Sequence, residues 1–461
     1  MDGTVKQALI DIVGENNYTD QLIDIVSFSY DASEEFSRPA CAVWVETTGQ
    51  ISEILKLANR KRVPVTPRGA GTGLSGLAVA AKGGIVMDLT RMNKILSIRI
   101  EDRLVVVEPG VINDDLDKAL SPFGFFYPPD PASGKVCTLG GNVALNAGGI
   151  KGAKYGTTKD YVLGLKVVLP DGSVMDTGSK TMKSASGYDL CRLFVGSEGT
   201  LGVITELTLK INPKPPESAT ALATFDEIED AGNSVSEIML SGVLPSVLEI
   251  VDRQTIVAFN QYSDLKLPDA AAILLTETDG YTKEETDYQI SKVIDIFKKN
   301  HASSVREAAS PEEAQALWVT RKKAYGVTAL INNNLIAEDL AVPMSKVTDM
   351  LKVTAEISKK YNLKMPTVGH LGDGNLHPVI SFDGTDPEEV KRVEAAVEEL
   401  FKAAVEMGGT LTAEHGIGMS KAPFMTLEHS AVSMDLMRSI KRMFDPHNIL
   451  NPGKMALDDS T

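Results

Sequence analysis

The sequence predicts an α+β protein of more than one domain, and three observations carry that expectation. The chain has 461 residues, which at about 150 residues per domain points to two or three domains. The first half is glycine-rich with short β-type runs. Beyond the linker Asn212-Pro213-Lys214-Pro215-Pro216, longer helical patterns alternate with strands, implying an antiparallel or mixed sheet covered by helices. The expected division is 1–215, 216–410, and a segment 411–461 that returns to the first domain.

The elements follow in order. Residues 41–45 and 63–66 read as strands. Between them Ile51, Ile54, Leu55 and Ala58 recur at helical spacing, so 50–61 is an amphipathic helix. Residues 84–89, 95–100 and 104–107 are strands. Residues 161–169 and 173–176 flank Pro170-Asp171-Gly172, a turn in which Pro presets φ and Gly accepts a positive φ. Residues 193–195 and 201–211 close this half as strands. In the second half 219–225, 271–276 and 335–342 are expected as strands. Residues 227–240, 283–300, 311–330, 344–361, 387–407 and 431–444 are expected as helices. Pro311 stands in a first helical turn, where its missing N–H costs nothing.

Composition excludes several classes. Apolar residues make up 43% and charged residues 23%, as in ordinary globular proteins, which argues against long disorder or a coiled-coil rod. A net charge of −16 makes the chain a poor partner for nucleic acid or an anionic leaflet. Cys41, Cys137 and Cys191 lie far apart without a CxxC pair, which argues against an iron–sulfur cluster, a cysteine zinc site or a disulfide framework within this chain. The first residues lack a signal-peptide pattern, and the longest uncharged stretch, 69–81, is too short to span a bilayer. A cytoplasmic location is therefore expected, either in solution or at the edge of a membrane complex.

Two constellations carry chemistry. The first is a set of glycine loops. Pro67-Arg68-Gly69-Ala70-Gly71-Thr72-Gly73-Leu74-Ser75-Gly76 contains a literal GxGxxG after a strand. A dinucleotide fold would then need a helix of ten or more residues and an acidic residue about twenty positions on. Gly83-Gly84 and the next strand come too soon, and Asp88 stands too early. What is left is either a tight surface loop or a nest of backbone N–H groups able to wrap a pyrophosphate. Two more polar glycine segments favour the nest. They are Pro129-Asp130 leading to Gly141-Asn142, Asn146 and Gly148-Gly149, and Gly196-Ser197-Glu198-Gly199-Thr200 leading to Gly202-Val203-Ile204.

The second constellation is Gly369-His370-Leu371-Gly372-Asp373-Gly374-Asn375-Leu376-His377, with Glu414-His415 further on. The chain has 6 histidines, and two of them fall within eight positions, across an interval whose glycines allow it to fold back. Two imidazoles and a carboxylate make an open site for Zn²⁺, or for Mn²⁺ or Fe²⁺. The alternative is a pair of histidines packed or hydrogen-bonded near a loop, with Asp373 as a turn residue.

Together these motifs, in this order over about residues 38–454, resemble the FAD-linked D-2-hydroxyacid dehydrogenases of the vanillyl-alcohol-oxidase superfamily, the branch of D-lactate dehydrogenases and glycolate oxidase FAD subunits. The resemblance implies a two-subdomain FAD domain and an α+β substrate cap. Residues 67–76 would be the pyrophosphate loop. Pro129, Asp130, Gly141, Asn142, Asn146, Gly148, Gly149, Glu198, Gly202, Val203, Ile204 and Asn451 would line the rest of the cofactor. No histidine precedes His301, so FAD is expected to be non-covalent in the FAD domain. His370, His377 and Glu414 match metal ligands of the family, with Zn²⁺ favoured. His415 matches the base beside the substrate, Asn375 a substrate contact, and Arg321 the clamp on the substrate carboxylate. His301, His429 and His447 are expected to be surface or structural residues. The family's dicarboxylate branch has a lysine where this chain has Ala337, which favours a small monocarboxylate, D-lactate first and glycolate next. D-2-hydroxyglutarate, or a place as FAD subunit in a multi-subunit glycolate oxidase, is the alternative. With no cluster ligands in the chain, electrons are expected to leave to an iron–sulfur subunit, an electron-transfer flavoprotein or a quinone.

Overall fold

The computed structural model describes residues 2–264 and 266–458, and within them the side chains of all but Thr320 and Lys322. The chain divides into two compact units. One comprises Met1–Gly148, Thr157–Lys214 and Glu414–Thr461, the other Gly149–Gly156 and Pro215–Ala413.

The first unit holds two main sheets. In the four-stranded sheet Tyr18–Thr19, Cys41–Trp44, Ile85–Asp88 and Val65–Arg68 lie side by side, and Ile85–Asp88 runs parallel to both Cys41–Trp44 and Val65–Arg68. The helix Thr48–Lys61 joins Cys41–Trp44 to Val65–Arg68. It starts at a capping box, in which Thr47 accepts from the Gln50 N–H while the Gln50 side chain reaches back. Its face Ile51, Ile54, Leu55 and Ala58 is fully buried, as the helical spacing predicts. The five-stranded sheet is antiparallel, in the order Ile95–Arg99, Leu104–Val107, Val203–Lys210, Val162–Val168 and Val174–Gly178. The turn before Val174–Gly178 has Gly172 at φ 85°, the positive value expected of it.

The second unit is built on an eight-stranded sheet, antiparallel throughout. Ser304–Glu307, Glu217–Phe225, Ala272–Gly280, Val247–Asp252, Thr367–His370, Asn375–Phe382 and Asn334–Ala337 follow one another across it, and Leu340–Ala341 also pairs with Asn375–Phe382. The helix Pro311–Thr328 packs on one face through Trp318, Ala324 and Val327. Ser310 caps it, with Pro311 in its first turn.

Three expectations change. Of residues 193–195, expected as a strand, the first two end the helix Leu190–Phe194 and Val195 is its C-cap; the first turn of that helix is capped by the Asp189 side chain accepting from Arg192 N. A short apolar run does not by itself separate helix from strand. The expected strand 335–342 is interrupted at Glu338-Asp339. Its register is nevertheless unbroken, since Ala337 faces Val379 and Leu340 faces Leu376. The opposing residue in the gap is Pro378, which has no N–H to give to the ladder. The linker is also partly structured, because Asn212–Pro213 pairs with Phe125–Phe126. Elements unread in the sequence include the helices Gly3–Val13, Asn113–Leu120 and Arg253–Tyr262 and the strands Val247–Asp252 and Ser304–Glu307. Among the described residues no helix is long and apolar enough to cross a membrane.

One ion pair fastens the C-terminal segment into the first unit. Lys441 is buried, and its Nζ donates to Asp445 Oδ2 at 2.5 Å, to Thr200 O and to Leu450 O. Asp445 in turn accepts from the backbone of Ile449 and Leu450. Lys441→Met would leave a buried carboxylate without its counter-charge, an effect of about 3 kcal/mol. Urea unfolding followed by circular dichroism should show that loss, and a change below about 1 kcal/mol would contradict it.

Candidate functional site

In the first unit, residues 69–84 join Val65–Arg68 to its parallel neighbour Ile85–Asp88 without a helix. A crossover between parallel strands is usually helical. Here it is an irregular loop that leaves its backbone groups for other partners. It forms one wall of a cleft partly open to solvent. Of the residues expected at a cofactor, Pro67, Arg68, Gly69, Ala70, Gly71, Thr72, Gly73, Gly141, Asn142, Glu198, Gly202, Val203, Ile204 and Asn451 line this cleft. Leu74, Ser75, Gly76, Pro129, Asp130, Asn146 and Gly148 belong to the same unit but not to that wall, and Gly149 opens the short segment assigned to the other unit. The sequence reading missed Leu77, Pro109, Cys137, Thr138, Gly140 and Leu145, which also line it. Thr138 was legible, because it caps the helix Leu139–Leu145 by accepting from Gly141 N.

The loop tolerates only glycine at its tightest points. A Cβ at Gly69 would collide with the Thr138 hydroxyl, and one at Gly71, where φ is +69°, with the Arg68 guanidinium. Arg68 is buried and serves the protein itself. Its Nη1 donates to Tyr30 O at 2.9 Å, and its guanidinium stands over the Phe28 ring. Asn451 donates through Nδ2 to Glu198 O at 2.7 Å and Leu77 O at 3.1 Å, while its buried Oδ1 has no hydrogen-bond partner among the described residues. Glycine backbone N–H groups can donate to phosphate oxygens and the unmatched Asn451 Oδ1 can accept from a ring N–H or a hydroxyl, so the cleft fits a flat, phosphate-bearing cofactor.

Glu198 closes this region. It sits in the left-handed region at φ 53° and is buried. Its two oxygens accept from the N–H groups of Ile417 at 2.7 Å and Gly418 at 2.9 Å. Burial pushes its carboxyl up to about 7, against the pull of these donors and of Lys454. Burial also brings Lys454, whose Nζ donates to Val79 O, down to about 8. Glu414, His415, His429 and His447 also belong to this unit, so the absence of histidine from the FAD domain holds only for its segments before residue 215.

In the second unit, Thr367–His370 and Asn375–Phe382 form a hairpin that places His370 opposite Asn375 and Val368 opposite His377. The two imidazoles share one sheet face, their ring centroids 5.1 Å apart. Glu249, a residue the sequence reading passed over, faces His370 across the next pair of strands. It is fully buried. Its Oε1 meets His370 Nδ1 at 2.5 Å and its Oε2 meets Arg321 Nε at 2.5 Å. Burial raises the Glu249 carboxyl, but the pull of its two partners, His370 and Arg321, prevails and holds it below the ordinary range. His377 Nδ1 lies 3.3 Å from Glu338 O and 3.8 Å from Asp339 Oδ1. Because Pro378 offers no N–H, the Glu338 carbonyl lacks its normal ladder donor, and the imidazole takes that place. Asp339 is fully buried and holds the chain at Thr412 Oγ1 (2.6 Å) and Ala413 N (2.9 Å), one residue before Glu414.

A carboxylate and a carbonyl can only accept, so both histidines donate from Nδ1 and carry their lone pair on Nε2. Metal-binding histidines characteristically have this support. Asn375 shares the face, and its buried Oδ1 has no hydrogen-bond partner among the described residues. His377, with Asp339 beside it, offers donors of the kind a divalent metal takes, and the Asn375 amide oxygen can accept from a small polar ligand. His301 and His447 are exposed and His429 half-buried, as expected.

Comparison with known proteins bears on both units. Residues 39–178 match the family model of an FAD binding domain, and residues 214–455 that of FAD linked oxidases, C-terminal domain. Glycolate oxidase subunit GlcD of Bacillus subtilis (strain 168) is 43% identical over 458 residues, covering 99% of this chain and 97% of that protein. D-lactate dehydrogenase of Anaerostipes hadrus is 35% identical, covering 91% and 90%. Among solved structures, p-cresol methylhydroxylase with substrate bound matches with a TM-score of 0.80 at 21% identity, covering 99% of this chain and 96% of that one, which shows a shared fold.

The Glu198 carboxyl makes the first unit pH-sensitive. From its ordinary 4.5 up to about 7, the unfolded chain ionises this group while the fold keeps it protonated, so stability falls as pH rises through that window. Lys454 acts in the opposite sense and only above about 8. Relative to Glu198→Gln, the wild type should lose up to about 3 kcal/mol between pH 4.5 and 7. Urea midpoints taken across that range check it, and a pH-independent difference would rule it out.

Proposed function

We propose that this chain, which belongs to the family of FAD-linked oxidases, oxidises a small monocarboxylic 2-hydroxy acid to the 2-oxo acid, D-lactate first and glycolate next. The observation that carries the reading is the hairpin of the second unit. His370 and His377 stand side by side with both Nδ1 atoms tied to oxygen, next to the unmatched Asn375 amide and to Arg321. The names of the relatives, a glycolate oxidase subunit and a D-lactate dehydrogenase, support the substrate class. Ala337 supports a monocarboxylate. It faces Val379, two residues beyond His377 on the same sheet face, and offers no cation to a second carboxylate.

On this reading Arg321 grips the substrate carboxylate, its forked guanidinium matching a carboxylate bidentately, and Asn375 fixes the substrate's polar end. His370 and His377 supply metal-binding nitrogens. The carboxylate ligand, Glu414, and the base that takes the hydroxyl proton, His415, are assigned from sequence. When bound, FAD supplies the acceptor for the C2 hydride and a divalent metal, Zn²⁺ favoured, supplies a Lewis acid for the 2-hydroxyl. The electrons pass on to a separate acceptor, an iron–sulfur subunit, an electron-transfer flavoprotein or a quinone. The word subunit in the name of the GlcD relative fits that arrangement.

Anaerobic addition of D-lactate or glycolate should bleach the flavin of the purified protein, with D-lactate giving a higher kcat/KM than D-2-hydroxyglutarate. NAD⁺ alone should not restore the colour quickly. A preference for D-2-hydroxyglutarate would show that the position of Ala337 does not set specificity.

His415→Asn should keep the flavin spectrum and the metal while slowing flavin reduction roughly 10²–10⁴-fold, the usual effect of removing a general base. His377→Ala should lose metal and activity together. Acid precipitation of either variant or of the wild type should release all the FAD. Metal analysis and stopped-flow reduction decide the roles. If His415→Asn loses metal and His377→Ala keeps it, the two are exchanged.

A further inference from the structure

Glu249 stands in the run Val247-Leu248-Glu249-Ile250-Val251, whose other side chains are all buried and apolar. An ionised carboxylate there costs several kcal/mol unless both oxygens find charged or N–H partners. Both do. The register of Val247–Asp252 against Thr367–His370 sets Glu249 directly across from His370, and Leu371 N donating to Leu248 O at 2.8 Å locks that register one residue on. Oε1 faces His370 Nδ1, and Oε2 takes Arg321 Nε from the helix Pro311–Thr328 packed on the same face. Glu249 thus holds Arg321 by Nε, and among the described residues no hydrogen bond from its two terminal nitrogens competes with a carboxylate grip.

We infer that Glu249 is a positioning residue shared by the two halves of the substrate site. One oxygen fixes the tautomer and ring plane of His370 for metal binding, and the other fixes the plane of Arg321 for the substrate carboxylate. This rests on the function proposed above and deepens it. A carboxylate shared in this way also couples the two events. A cation on His370 Nε2 draws the Nδ1–H proton closer to Oε1, and an anion on Arg321 draws the guanidinium away from Oε2. Each therefore makes the remaining partner of Glu249 a better one, so metal and substrate favour each other's binding, as reciprocal coupling requires.

The test uses the FAD-loaded protein with Co²⁺ as the metal probe and D-lactate as the carboxylate probe. The Co²⁺ dissociation constant is measured by competition with a metallochromic chelator. The D-lactate dissociation constant and the limiting reduction rate are separated by stopped-flow. Glu249→Gln should weaken Co²⁺ about 10–100-fold, the usual effect of removing a carboxylate behind a metal-bound histidine. It should also weaken D-lactate by roughly tenfold, leave the flavin spectrum unchanged, and reduce the benefit that Co²⁺ gives D-lactate binding. Loss of only one affinity would overturn the sharing. A lower unfolding midpoint with both constants within about twofold of wild type would show a purely structural carboxylate and overturn the inference.

If Glu249→Gln does not fold, Glu249→Asp decides. It keeps the charge but is one methylene too short to reach both partners, so it must also show both losses. Wild-type protein that binds no Co²⁺ and is bleached by no 2-hydroxy acid would sink the proposed function, and the inference with it. Wild-type protein that does both, with unaffected variants, would sink the inference alone.

Discussion

A carboxyl group is costly inside a protein unless its oxygens find partners, and that constraint organises the functional parts of this chain. Glu198 is satisfied by the backbone of Ile417 and Gly418, so the segment that follows His415 has a fixed place. Asp339 Oδ2 accepts from Thr412 and Ala413, so the segment that precedes Glu414 has one too. Glu249 is satisfied by His370 and Arg321. Asp445 is satisfied by Lys441 and two backbone amides, which pin the approach to Asn451. Glu249 sits in a strand, Asp339 at a strand edge, Asp445 at a helix end and Glu198 in a turn, and they reach for backbone amides, an imidazole, a guanidinium or an ammonium. The groups expected to do chemistry are thus held by short, charge-assisted bonds rather than by apolar packing alone, which suits them to a precision that packing does not give.

The glycine loop obeys a second constraint. Neighbouring parallel strands need a long crossover, and a helix would satisfy its own amides and hide them. Residues 69–84 make the crossover without a helix, so the N–H groups of residues 69–73, which line the cleft, are not spent on helical hydrogen bonds. Gly69 and Gly71 are required because Thr138 and Arg68 stand where their Cβ atoms would be. Arg68 is the less obvious part. A positive side chain beside a glycine loop invites a role as anion ligand, yet its hydrogen bond to Tyr30 O makes it a brace for the loop.

What could be read in the sequence was what depends on local spacing. The amphipathic helix over Ile51–Ala58, the turn at Gly172, the glycine wall from Pro67 to Gly73, and a fold-back that brings His370 to His377 are set by residues within one turn or hairpin. What could not be read depends on sheet pairing. Glu249 lies 121 residues from His370 in sequence, and only the strand order makes them neighbours. A signal existed all the same, since a glutamate inside an apolar β-type run is a buried charge in search of a partner. Leu190–Phe194 was misread because five residues show no period, and its one informative feature was the capping Asp189.

Pro378 joins the local and the long-range parts of the site. In an antiparallel pair, residues of a hydrogen-bonded couple exchange two N–H···O bonds. Glu338 and Pro378 make only one, from Glu338 N to Pro378 O at 3.0 Å, because the proline has no donor. A buried carbonyl left without a donor is costly, and the nearest donor is Nδ1 of His377, the residue just before the proline. The His-Pro pair therefore does in one step what Glu249 does for His370 from a distant strand. It creates an acceptor that obliges the imidazole to donate from Nδ1 and to carry its lone pair on Nε2. Two different devices, a missing amide hydrogen and a buried carboxylate, thus set two adjacent histidines in the same tautomer on the same face. A packed pair of core histidines would need no such agreement, whereas a pair that must present two lone pairs to one cation would.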